Sequence, residues 1–94
     1  MDIFIVDLPT KVRKTLVGMP SYIIDKLESW IKAIRRDGLK QVQKTPGYHD
    51  EPLKGKRFGQ RSVRLNKAYR AIYVIKKGQE IEFVAVEEVN KHDY

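Results

Sequence analysis

Between Ile23 and Ile34 the residues Ile23, Leu27, Trp30, Ile31 and Ile34 recur at intervals of four, three, one and three, with Asp25, Lys26, Glu28, Lys32 and Arg35 off that stripe. The spacing predicts an amphipathic helix with one apolar face, and Asp37-Gly38 supplies its C-terminal stop. Such a helix persists only when its stripe lies on a second apolar layer, so the rest of the chain must provide one. Upstream, Val12, Leu16 and Met19 recur at helical spacing from Thr10 until Gly18 and Pro20 interrupt them, which makes a shorter first helix. The β-branched and aromatic run Ile3 to Val6, closed by Asp7-Leu8-Pro9, reads as a strand leading into it.

Downstream the rhythm changes. Lys40 to Gly47 shows no sustained period and reads as a connection ending in Pro46-Gly47. From Phe58 alternation takes over: Val63 and Leu65 alternate with Ser62 and Arg64, Asn66-Lys67-Ala68 makes a turn, and Tyr69 to Ile75 resumes as strand. Lys77-Gly78-Gln79 turns again into Ile81 to Val89, whose Phe83-Val84-Ala85-Val86 is apolar on both faces, as in a central strand. The pattern predicts an α+β domain in the order β-α-α-β-β-β, with a helical hairpin packed on one face of a four-stranded, mostly antiparallel sheet. The helix stripe is expected to lie on Ile72, Val74, Phe83 and Val84. Ninety-four residues, 41% of them hydrophobic, make one domain over residues 1–94.

The absence of cysteine excludes disulfides and thiolate chemistry, and suits a reducing cytosol. Met1 to Asp7 is too short and too acidic for a signal peptide, and no apolar run approaches a membrane span, so the expectation is a cytoplasmic protein with no membrane partner. The net charge is +7, and Lys40 to Arg70 alone holds nine Lys or Arg against two acids. An excess gathered in one segment points to a polyanionic partner.

Inside that segment Glu51 and Asp50 adjoin His49, with Lys54, Lys56 and Arg57 close behind and Arg61, Arg64 and Arg70 on the predicted hairpin. Glu51 reads either as a solvated loop acid or as a general base kept ionised by Lys54 and Arg70. Lys54, Lys56, Arg57, Arg61 and Arg64 read either as a solvated strand edge or as contacts to a phosphate backbone. Arg70, between Tyr69 and Ala71 in an apolar strand, must be paired or line a cleft; Glu82 and Glu87 are the candidate partners. His49, Asp50 and Glu51 are consecutive and cannot converge on one ion without a strained loop, so no metal site is expected. His92-Asp93-Tyr94 follows the last strand closely enough to keep His92 near the sheet.

Together these residues resemble the RelE/ParE toxin superfamily, most of all its YoeB and HigB-type mRNA interferases. The likeness is sharpest in Glu51-Pro52-Leu53-Lys54, in Val63-Arg64-Leu65-Asn66-Lys67-Ala68-Tyr69-Arg70 and in His92-Asp93-Tyr94, where Asp93 intervenes between the His and Tyr that YoeB-like enzymes place together. The resemblance implies the RelE-like fold and a toxin of a type II toxin-antitoxin system. It implies an endoribonuclease cutting mRNA on the ribosome without a cofactor, a cognate antitoxin partner, and operator DNA reached only through the antitoxin complex. Carried over residue by residue, it makes Glu51, Lys54, Arg70, His92 and Tyr94 the catalytic set, with Lys56, Arg57, Arg61 and Arg64 on the RNA. The rival classes are a ParE-like gyrase poison without nuclease chemistry and a non-catalytic RNA-binding module.

Overall fold

The computed structural model describes residues 1–91. In chain order its elements are β1 (Val6–Asp7), α1 (Thr10–Leu16), α2 (Ser21–Asp37), α3 (Leu39–Gln43), β2 (Glu51–Pro52), β3 (Arg61–Arg64), β4 (Tyr69–Lys77) and β5 (Glu82–Lys91). The strands form one sheet in the spatial order β1-β5-β4-β3-β2, antiparallel throughout except for the parallel pairing of β1 with β5. This is the expected α+β architecture with one more helix and one more strand than the sequence pattern shows.

The five stripe residues of α2 are all buried, Ile23, Trp30 and Ile34 completely. Among the described residues no side chain caps the N-terminus of α2. Burial of one large apolar side chain contributes roughly 1.5–3 kcal/mol, against about 1 kcal/mol for a cap, so the stripe holds this helix. Gly38 ends it at φ 89°, and α3 starts at the next residue. A Cβ at Gly38 would run into the Asp2 carboxylate, which accepts a 3.1 Å hydrogen bond from the Lys40 N–H, while the Leu39 N–H donates to Ile3 O at 2.8 Å. Bonds from the N-terminal segment thus secure α3, a five-residue helix lying where a plain connection was expected.

The stripe lies on Val63, Leu65, Ala71, Tyr73, Val84, Val86 and Val89. Of the four strand residues expected beneath it only Val84 belongs to this core. Ile72 is fully buried but alternates with Ala71 and Tyr73, which places it, with Val74, on the opposite face. Phe83 likewise alternates with Val84. The β4–β5 register also slips at Ile72/Tyr73, where Ile72 faces Glu88 but Tyr73 faces Val86 and Glu87 is bulged out. The Trp30 and Tyr73 rings meet at 5.3 Å, tilted by 50°, and the buried Trp30 Nε1 has no hydrogen-bond partner among the described residues.

Strand boundaries move: β4 runs on to Lys77 rather than Ile75, and β5 covers Glu82–Lys91 rather than Ile81 to Val89. Ile3 turns toward α3, so β1 is Val6–Asp7 rather than Ile3 to Val6, with Ile5 O accepting from the Val84 N–H at 2.8 Å. Phe58 is exposed after a 3-10 turn at Gly55–Arg57, so β3 starts at Arg61. Glu51–Pro52 forms the edge strand β2, where the missing proline N–H costs no ladder bond. Among the described residues no helix is long and apolar enough to cross a membrane.

Candidate active site

Because Val63, Ala71 and Tyr73 lie under the helices, Ser62, Arg64, Arg70 and Ile72 face the other way. The strand register then lays two rows across that face: Glu51, Ser62, Ile72 and Glu88 in one, Arg64, Arg70 and Asn90 in the next. At the edge where these rows meet lies a cavity of about 150 Å³ lined by His49, Glu51, Ser62, Arg64, Asn66, Lys67, Tyr69 and Arg70.

The strand-to-strand turn shapes one wall. Asn66 Oδ1 accepts from the N–H groups of Ala68 and Tyr69, both at 2.7 Å, and the Leu65 N–H donates to Tyr69 O at 2.9 Å. An asparagine bonding its own backbone in this way is a local turn-former, and here it delivers β4 so that Arg70 falls directly opposite Arg64. Directly opposed side chains sit with Cβ atoms about 4.5–5.5 Å apart, and like charges there repel. Neither arginine makes a salt bridge among the described residues. The Arg70 Nε is buried and unbonded among them. Glu82 and Glu87 are not its partners: Glu82 pairs with Lys77 at the far end of β4, and Glu87 accepts from Gln60 Nε2 at 2.9 Å.

Asp50 and Glu51, adjacent in sequence, part company in the fold. The Asp50 side chain has no exposed surface and accepts from Arg61 Nε at 2.6 Å and from the Tyr73 hydroxyl at 2.5 Å. Gln43 Nε2 donates to that same hydroxyl at 3.1 Å. Burial, then the bond to Asp50, raises the Tyr73 phenol well above its ordinary range. Burial is the strongest single influence on Arg61 and works against its charge, but the bond to Asp50, the Asp50 charge and Tyr73 together outweigh it, leaving the guanidinium raised. With Asp50 fixed inward, Glu51 is turned outward into the cavity.

The expected ring of cations therefore divides. Arg64 and Arg70 line the cavity with Glu51. Arg61 is committed to Asp50, and Arg57 bonds Glu88 at 2.8 Å and Gln60 at 3.0 Å. The bond from Arg57 holds Glu88 below the usual carboxylate range against its partial burial, with Arg70 and Asn90 adding to the effect. Lys54 and Lys56 are exposed and outside the cavity lining. His92 and Tyr94 lie outside the described residues. The pattern reading gave His49, Ser62, Asn66, Lys67 and Tyr69 no part in a catalytic site; the fold brings them to the cavity, Ser62 by its register opposite Glu51.

No family model matches the chain and no curated protein matches it. Solved structures do. The RelBE2 toxin-antitoxin complex from Mycobacterium tuberculosis superposes with a TM-score of 0.67 at 21% identity, over 96% of this chain and 99% of that one. A YoeB/ParE toxin from Agrobacterium tumefaciens gives 0.66 at 18% identity over 95% and 99%. The fold is that of the RelE/ParE toxins. YafQ from E. coli also shares it, with a TM-score of 0.67 at 16% identity over 92% and 90%. In this RelE/ParE frame two of the stretches that carry the sequence resemblance, Glu51 to Lys54 and Val63 to Arg70, lie on or between the neighbouring strands β2, β3 and β4, and six of their residues, Glu51, Arg64, Asn66, Lys67, Tyr69 and Arg70, line one cavity.

Proposed function

We propose that this chain is the toxin of a type II toxin-antitoxin pair and acts as an mRNA interferase, an endoribonuclease cutting mRNA on the ribosome. One observation carries the reading: Glu51 stands in a cavity beside Arg64 and Arg70, two opposed arginines with no salt bridge among the described residues. A protein gains no stability from such a pair. An anion between them neutralises the repulsion, and planar guanidinium groups match phosphate oxygens.

RNA brings its own nucleophile. Glu51 removes the proton of a 2′-hydroxyl, the oxygen attacks the adjacent phosphorus, and Arg70 with Arg64 holds the charge that develops on the phosphoryl oxygens. An imidazole protonates the departing 5′ oxygen; the family likeness gives this task to His92 and counts Tyr94 in the catalytic set. Lys54 and Lys56, exposed beyond β2, take phosphates of the strand entering the cavity. Arg57 and Arg61 act indirectly, bracing the segment that presents Glu51 through their ion pairs. A cognate antitoxin covers the basic face in the resting cell, as a chain of complementary charge would; the RelBE2 neighbour was solved as a toxin-antitoxin complex.

Translating ribosomes incubated with the purified protein, followed by mapping of new 5′ ends, test this directly. Cuts at a constant position within codons are expected. Gyrase inhibition without cuts, or RNA binding without either, overturns the reading in favour of one of the rival classes. A message with a 2′-deoxy sugar at the cut should be inert, and its normal cleavage would exclude the 2′-hydroxyl mechanism.

A further inference from the structure

Resting on the nuclease reading above, we infer that His49 is a catalytic residue of this site and that it, in place of the His92 to which the family likeness points, is the acid that protonates the leaving 5′ oxygen. Its neighbours leave its side chain one way to go. Tyr48 packs against the core, and Lys26 Nζ sits 4.9 Å from its ring centroid. On the other side the Asp50 carboxylate is fully enclosed by Arg61 and Tyr73. With both flanking side chains turned to the body of the protein, His49 is delivered to the cavity, where it joins Glu51, Arg64, Lys67, Tyr69 and Arg70. Its backbone is left-handed, φ 45° and ψ 49°, the only positive φ at a non-glycine residue among those described. Such a conformation survives where the surroundings impose it, and it recurs at functional sites. The imidazole makes no hydrogen bond or ion pair within the described residues, so no structural bond occupies it.

Its position suits the task. His49 and Glu51 are two residues apart, at most roughly 7 Å along the chain, and because β2 runs antiparallel to β3, with Glu51 opposite Ser62 and Pro52 opposite Arg61, the chain that precedes Glu51 and carries His49 lies toward the row that holds Arg64 and Arg70. A phosphate on the arginine pair is bordered by a carboxylate and an imidazole, the two proton-transfer partners that an in-line displacement needs. The step balances as follows. Glu51 takes the 2′ proton, the P–O5′ bond breaks as the 2′-O–P bond forms, and its electron pair goes to O5′, which takes the proton of the His49 imidazolium. The products are a 2′,3′-cyclic phosphate, a free 5′-hydroxyl, protonated Glu51 and neutral His49, which exchange a proton through water to reset. An imidazole both gives and takes protons near neutrality.

The test compares wild type, His49→Gln, His92→Gln and Glu51→Gln on ribosome-bound mRNA with either the natural oxygen or a 5′-bridging sulfur at the mapped cut. Sulfur leaves without protonation, so only loss of the acid is rescued by it. His49→Gln should lose roughly 10²–10⁴-fold on the oxygen substrate and recover most of that on the sulfur substrate, while Glu51→Gln stays slow on both. Full activity of His49→Gln, a loss that sulfur does not rescue, or rescue confined to His92→Gln would each overturn the assignment. A wild type inactive on both substrates refutes the nuclease reading itself, and His49 as acid with it. Circular dichroism and melting of His49→Gln, expected to match wild type, separate a lost acid from a lost fold.

Discussion

On the helix-covered face of β3 and β4, Val63, Ala71 and Tyr73 are completely buried and Tyr73 meets Trp30 ring to ring. One residue along the same strands, Arg64 and Arg70 oppose each other without a salt bridge among the described residues. The first face gains stability from every contact, and the second accepts repulsion. Because alternation puts successive side chains on opposite faces, the chain sets a cost to folding next to the residues that offset it, and each face can be altered with limited effect on the other.

The largest test of that separation is Glu51→Gln, which should lower the rate of mRNA cleavage by roughly 10²–10⁴-fold and leave the denaturation midpoint where it was. A midpoint that drops with activity would mean the two faces are one cooperative unit. The converse is Trp30→Ala, expected to cost about 3–5 kcal/mol in a urea titration. Trp30→Phe sharpens it: the indole N–H is already unbonded among the described residues, so losing it forfeits no bond, and the phenyl ring should retain most of the stability. Arg70→Ala should remove about 2.7–4 kcal/mol of transition-state stabilisation, read from single-turnover rates at saturating ribosomes.

Titration probes the seam between the faces. The Tyr73 phenol is raised above its ordinary 10.0 by burial and by its bond to Asp50. Unfolded chain therefore loses this proton before folded chain does, so the contribution is whole below pH 10.0 and is lost as pH rises beyond it. Stability measured across the alkaline range should fall in wild type and fall less steeply in Tyr73→Phe. Glu88 has the opposite sign: its carboxyl lies below 4.5, chiefly through the bond from Arg57, so that contribution is present above 4.5 and is lost as pH falls through the lower, folded value. Arg57→Gln should flatten the acid limb. The smallest effect is expected from Arg64→Gln, which relieves the repulsion with Arg70 and should stabilise the fold by about 0.2–1 kcal/mol while it weakens RNA binding.

Legibility followed the length and purity of pattern. The α2 stripe was plain because five apolar residues keep one period over three turns. The existence of β4 and β5 was equally plain, but not which face met the helices. Ala71, Ile72, Tyr73, Val84, Ala85 and Val86 are apolar in succession, and the bulge at Glu87 shifts the pairing midway. The helix α3 and the strand β2 were invisible because five residues and two cannot show a period; bonds from Asp2, Ile3 and β3 stabilise them. At the site, Glu51, Arg64 and Arg70 were singled out and meet. Nothing local distinguishes Asp50 from Glu51, however. Their different fates are decided by Tyr73 and Arg61, residues distant in sequence, as Glu88 decides that of Arg57.

The parallel pairing of β1 with β5 has a consequence for how the molecule comes into being. Val6 leaves the ribosome long before its partner Val84 is made. Contacts of such long sequence separation form late and slowly, and a growing chain folds in the order in which its parts emerge. The strand β4, which carries Arg70, is bonded along its whole length to β5. Until β5 is released, Arg70 lacks the neighbour that sets its row. On the proposed function, the enzyme is thus assembled only after β5 has left the ribosome, and a chain cut short upstream of β5 carries every cavity-lining residue without the sheet that aligns them.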